Sequence, residues 1–165
     1  MIIRSNKNME AYLQQLNYDF RTAAYVLPEA LENVLNDGLI QQDNTILLAA
    51  INKGRNVPSF ADDQERMDFE YSRNRFDTDL PEEDDELEYL KWTLEFAHRL
   101  ANKVHEEFPG KTFKVLAFFN ETNFESEHMA QFASSRVHFY EVKQADGDND
   151  LEGYEGEAAL EIEVQ

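Results

Sequence analysis

The chain has 165 residues, 34 acidic against 15 basic side chains, and no cysteine. That length suits a single domain (1–165) with a real core, and a 42% hydrophobic, 12% aromatic composition excludes a disordered chain. Without cysteine there is no disulfide, thiol nucleophile or thiolate zinc site, which suits a reducing, cytoplasmic setting. A net charge of −19 sets the surface against nucleic acid and anionic membranes, both of which repel it.

The opening Met1-Ile2-Ile3-Arg4-Ser5 turns polar too soon for a signal peptide. No apolar run approaches the about 18 residues that a membrane span needs. Ser5 or Asn6 is placed to cap a first helix. Met9, Tyr12, Leu13, Leu16, Phe20, Ala23, Ala24 and Leu27 follow at helical spacing. Pro28 is costly inside a helix but suits a first turn. The pattern predicts helices over 7–26 and 28–36, the second stopped by Asn36-Asp37-Gly38; one kinked helix is the alternative.

Residues 45–51 are apolar on both alternations, which predicts a buried central strand; a short buried helix shares that signature. Residues 52–81 read as a long connection. Within it Met67, Phe69 and Tyr71 alternate with Asp68 and Glu70, favouring a strand with one wet face over a helix. Arg66, Arg73 and Arg75 lie among carboxylates, and local ion pairing is their simplest role.

Residues 79–119 are the best-specified stretch. Leu87, Leu90, Leu94, Ala97, Ala101, Val104 and Phe108 form the stripe of a core-facing helix. Asp79 with Glu82 fits a capping box, Pro81 fits a first turn, and acidic 82–86 lie where the helix dipole favours negative charge. Pro109-Gly110 ends the helix. Phe113, Val115, Ala117 and Phe119 then share one face of a strand whose other face is also partly apolar.

Phe124, His128, Met129 and Phe132 suggest a short helix within 120–135. Residues 136–143 read as a strand, 144–157 as an acidic loop, and 158–164 as a last strand with one buried and one wet face. The last two strands suit a long-looped hairpin. The whole is α+β: a mostly antiparallel sheet of four or five strands with two long amphipathic helices packed on one face.

Chemical motifs are sparse. Asp146, Asp148, Asp150 and Glu157 hold positions 1, 3, 5 and 12 of a calcium-loop spacing, but Leu151 stands where the turn demands glycine. An ordinary turn is the expectation. Glu95/His98 and Glu125/His128 are Glu-x-x-His pairs, yet the strand between them argues against a helical metal bundle. No serine has a nucleophile-elbow context and no glycine-rich phosphate loop exists. No cofactor, metal or catalytic residue is expected. Trp92, His138 and Tyr140 are aromatics whose faces are ambiguous, with core the default.

The charge is unevenly placed. Residues 61–89 hold 13 acidic and 3 basic groups and residues 141–165 hold 9 and 1, so these two segments carry 18 of the 19 excess charges. A basic protein is therefore the favoured partner. The expected function is an acidic protein-binding module, an inhibitor or immunity-type protein covering a basic surface such as that of a nuclease toxin. Its partner-binding residues would be Asp79, Glu82, Glu83, Asp84, Asp85, Glu86, Asp146, Asp148, Asp150 and Glu152. The alternatives are a small enzyme using Glu95, His98, Glu125 and His128, and a calcium-responsive module using 146–157. Whether the two acidic segments share a face decides how well the first stands.

Overall fold

A computed structural model describes residues 1–22, 24–80, 85–122, 133–143, 150–154 and 156–165. Its elements in chain order are β1 (Ile2–Ser5), α1 (Lys7–Gln15), α2 (Glu29–Asp37), β2 (Leu39–Gln42), β3 (Thr45–Leu48), α3 (Ala49–Asn52), α4 (Asp63–Arg73) and β4 (Phe76–Asp77). They continue with α5 (Glu86–Glu107), β5 (Phe113–Asn120), β6 (Ser134–Glu141), a 3-10 turn (Leu151–Gly153) and β7 (Ala158–Val164).

The main sheet has the order β1-β7-β5-β6-β4 and every neighbouring pair is antiparallel. The α+β class and the antiparallel five-stranded sheet agree with the sequence. Strands β6 and β7 do not form the expected hairpin: β5 lies between them, Val115 opposite Phe139 on one side and Ile162 on the other. Helix α5 lies on one face. Its Leu90, Leu94, Ala97, Ala101 and Val104 close on Val115, Ala117, Phe139, Leu160 and Ile162, all at most 1% exposed. Truncating one such leucine to alanine costs about 2–5 kcal/mol. Helices α1 and α2 join the same cluster through Met9, Leu31, Val34 and Leu35.

Local chemistry sets the helix ends. Asn6 caps α1, its Oδ1 accepting from Met9 N at 3.0 Å. The helix predicted over 7–26 stops at Gln15, and Asn17 turns left-handed at φ 47°. The apolar spacing beyond it belongs to a non-helical stretch whose Tyr18 and Phe20 still pack on the core. Gly38 ends α2 at φ 78°, as the Asn-Asp-Gly stop predicts. The cap of α5 is Asp85, which accepts from Leu87 N, and not the expected Asp79. Pro81, Glu82, Glu83 and Asp84 lie outside the described residues, as does the helix expected around Phe124–Phe132.

The expected central strand at 45–51 is divided. Thr45–Leu48 is a fully buried strand, but it pairs with β2 in a separate two-stranded sheet, and residues 49–52 turn helical. Asp43 and Asn44 both take positive φ, 47° and 64°, as a two-residue hairpin turn requires.

Glu70 of α4 and Asn74, the residue that ends that helix, join this hairpin to the main sheet. Glu70 Oε1 accepts from Ile46 N at 2.9 Å and Oε2 from Glu141 N at 2.8 Å. Asn74 Oδ1 accepts from Leu48 N at 2.9 Å, while its Nδ2 donates to Ile46 O at 2.8 Å and Phe139 O at 3.2 Å. The carboxylate and the amide stand where a strand-to-strand ladder between β3 and β6 would run, and satisfy backbone groups that burial would otherwise orphan.

Candidate functional site

The second face of the sheet carries the unusual chemistry. Its register places Lys114 opposite Tyr140 and Glu163, Leu116 opposite His138 and Glu161, and Phe118 opposite Arg136 and Ala159. The expected wet face of β7 is therefore covered. Glu161 is fully buried, Arg4 Nη1 donates to it at 2.6 Å, and Lys114 Nζ lies 3.8 Å away. A carboxylate with cations on both sides can be buried where an isolated one cannot.

Helix α4 covers this face. The expectation of a strand over 67–71 fails because Met67, Glu70, Tyr71 and Asn74 share one helical side, spaced three and four apart. Asp62 starts the helix by accepting from Glu65 N at 2.9 Å, and Glu65 reaches back to Ala61 N at 2.8 Å. Met67 and Tyr71 pack with Leu116, Phe118 and Tyr140 of the sheet.

The second acidic segment closes on the same cluster. Leu151 and Tyr154 pack against Met67 and Phe118, the Tyr154 and Phe118 rings 4.8 Å apart. Asn6, 2% exposed, fastens this segment: its Nδ2 donates to Leu151 O at 3.2 Å and Glu157 O at 2.9 Å, and its Oδ1 also accepts from Ala159 N at 3.0 Å. Between α4 and this segment lies a hollow of about 200 Å³, lined by Gln64, Met67, Asp68, Tyr71, Leu116, Tyr140 and Tyr154. Burial, followed by the adjacent Tyr154 phenol, pushes the Tyr71 phenol up to about 12, so it stays neutral.

Beside the hollow Tyr71 stacks on His138, ring centroids 4.3 Å apart, and His138 Nδ1 donates to Tyr71 O at 3.0 Å. Burial holds the imidazole below its ordinary pKa, so this ring is neutral. Its Nε2 is buried without a polar partner among the described residues. Arg136 lies over the Phe118 ring at 4.4 Å and grips Glu157 with two bonds of 2.7 and 2.8 Å. That bidentate bond holds the Glu157 carboxyl below the usual carboxylate range.

The structure sorts the carboxylates into two populations. On the sheet and its flank they are met by cations: Glu141 by Lys111 and Lys143, Glu157 by Arg136, Glu161 and Glu163 by Arg4. On α4 and residues 150–154 most are not, and of these Asp68 lines the hollow. Asp62, Glu65, Asp68, Asp150 and Glu152 are exposed, and among the described residues no ion pair engages them. Two of the nearby arginines turn to rings instead: Arg66 over Phe60 at 5.6 Å, as well as 3.9 Å from Asp63, and Arg73 over Phe69 at 5.3 Å. The third, Arg75, pairs with Asp77 at 3.1 Å as local pairing predicts.

One comparison with known proteins is decisive. The family model described as "Uncharacterized protein PM0498 family" matches residues 4–163. The chain belongs to the PM0498 family. No curated protein and no solved structure matches it. The family match runs from within β1 to within β7 and so spans the whole main sheet.

The residues singled out from sequence in this PM0498 member fall in several places. Asp150 and Glu152 are exposed beside the tyrosine cluster, Glu152 also accepting from Lys7 N at 3.1 Å. Asp85 and Glu86 begin α5, which packs on the opposite face; Asp85 caps that helix, and Glu86 accepts from Thr122 N at 2.9 Å. Asp79 is half-buried, and burial raises its pKa. Glu82, Glu83, Asp84, Asp146 and Asp148 lie outside the described residues. Within the calcium-loop spacing, Glu157 is held by Arg136 and residues 151–153 form a 3-10 turn.

Glu95 is buried and accepts from Tyr25 N at 3.1 Å, and His98 meets Phe20 edge-on at 6.0 Å. Glu125 and His128 lie outside the described residues. No group of three or more potential metal ligands forms among the described residues, and no described helix is long and apolar enough to cross a membrane. The sequence reading counted Asp62, Asp63, Glu65 and Asp68 within the acidic segment 61–89 but missed that they gather on the first turns of a helix. The Asp62–Glu65 spacing, that of a capping box, was the available signal.

Proposed function

We propose that this PM0498-family protein is a protein-binding module that covers a basic surface of another protein, in the manner of an inhibitor or immunity protein. One observation carries the reading: α4 from the first acidic segment and residues 150–154 from the second pack on the same sheet face around one aromatic hollow. A single partner can therefore meet both. Uncompensated carboxylates around an aromatic centre combine long-range steering with a desolvated anchor. A nuclease toxin is the sharpest partner class, because carboxylates spaced over its phosphate-binding groups would occlude them. The partner is met in the cytoplasm, and nucleic acid is not itself the ligand.

The test is capture of a partner from source-organism lysate at low salt, eluted by a salt gradient, using the wild type and an Asp68→Asn/Asp150→Asn/Glu152→Gln variant. The reading expects one basic protein released at a defined salt step, an earlier step for the variant, and inhibition of that protein's activity by the wild type. Basic proteins smeared across the gradient, or equal elution from both forms, would reduce the acidity to solubility.

A further inference from the structure

We propose that the hollow between α4 and Tyr154 receives one arginine side chain of the basic partner, its guanidinium lying against the tyrosine rings and bonding to Asp68. This rests on the binding function proposed above and specifies its central contact.

Size is the first argument. At about 200 Å³ the hollow is smaller than the roughly 300–1,000 Å³ of small-molecule sites, and it has the scale of one inserted side chain. Its lining is the second. Met67 and Leu116 offer apolar surface to an aliphatic stem, while Tyr71, Tyr140 and Tyr154 offer rings to a planar cation. Charge is the third. Asp68 is exposed at the rim, and Gln64 Nε2 donates to its Oδ1 at 2.9 Å, a neutral contact that leaves the negative charge in place.

The protein's own arginines supply the fourth argument. Arg136 lies 4.4 Å from the Phe118 centroid while its Nη1 and Nη2 donate to the Glu157 carboxylate. Arg66 and Arg73 lie over Phe60 and Phe69. Arg136 with Phe118 and Glu157, and Arg66 with Phe60 and Asp63, thus already combine guanidinium, ring and carboxylate in this protein, the combination that the tyrosines and Asp68 of the hollow offer to a partner's arginine. Lysine fits less well, because its compact ammonium is strongly hydrated and has no planar face to stack.

The experiment titrates the full chain with hexa-arginine and hexa-lysine peptides at low salt. Calorimetry gives the affinities, and NMR follows the tyrosine ring signals. Hexa-arginine is expected to bind about fivefold tighter than hexa-lysine, the scale of one cation–π contact, and to shift the rings of Tyr71, Tyr140 and Tyr154. Asp68→Asn and Tyr154→Leu should remove most of that preference. Asp68 is exposed, so its variant keeps the test valid should Tyr154→Leu lose the fold. Equal affinities, or tyrosine rings unmoved by hexa-arginine, would overturn the arginine contact and leave the carboxylate surface standing. Binding of neither peptide would overturn both.

Discussion

Glu70→Gln tests the clip between the two sheets. In the wild type both carboxylate oxygens accept backbone N–H bonds, from Ile46 at 2.9 Å and Glu141 at 2.8 Å. A carboxamide has one acceptor and turns an NH2 group toward the other N–H. Leaving that buried donor unmet costs about 1–3 kcal/mol. Titration adds a second effect. Burial, against the pull of the two N–H groups and Lys143 and with some help from Glu141, raises the Glu70 carboxyl from 4.5 to about 7. Between those values the folded chain holds a proton that the unfolded chain has lost. Stability therefore falls as pH rises through that window, by up to about 3 kcal/mol. The glutamine variant lacks this dependence, while all other titrating groups are common to both proteins. Urea unfolding of the two proteins from pH 5 to pH 8 isolates the term. The wild-type advantage should be largest near pH 5 and shrink by about 3 kcal/mol toward pH 8. An advantage constant with pH would mean that Glu70 does not titrate there. An advantage growing with pH would mean that the two N–H bonds outweigh burial, reversing the reasoning.

Asn74→Ala removes three bonds to Ile46, Leu48 and Phe139 and should cost about 2–4 kcal/mol, with β2–β3 amides losing hydrogen-exchange protection first. Glu157→Gln should cost on the order of 1 kcal/mol at pH 7, the pair being partly exposed. Because the Glu157 pKa is lowered in the folded state, that difference should vanish as pH falls below the ordinary carboxylate range, which acid melts would reveal. Calcium at about 1 mM should leave the melting temperature unchanged, because Arg136 already holds Glu157; a clear rise would favour a calcium module.

Much of the fold was legible where local and tertiary signals agreed. The α5 stripe, the Pro109-Gly110 stop and the double-faced apolar pattern of β5 all describe elements whose partners are apolar, and apolar residues announce burial by themselves. Charged residues do not. Glu70 was read as the wet side of a strand, and Glu161 as the wet side of β7, yet both are fully buried. One is satisfied by amides from strands 24 and 71 positions away, the other by Arg4 at 157. Those partners are set by topology, which no local window contains.

The same blindness limits the candidate site. Asp68 and Glu70 are two residues apart, on opposite sides of one helix turn. Asp68 is exposed at a hollow, and Glu70 is a buried clip with no accessible surface. Charge counting gave them equal weight. What separates them is the residue beside each: a neutral Gln64 leaves Asp68 its field, while two N–H groups consume Glu70. Placed on the fold, the charge is unevenly distributed between paired and unpaired carboxylates. Among the described residues the sheet carboxylates are answered by Arg4, Lys111, Arg136 and Lys143, while Asp62, Glu65 and Asp68 of the α4 side are met by no ion pair.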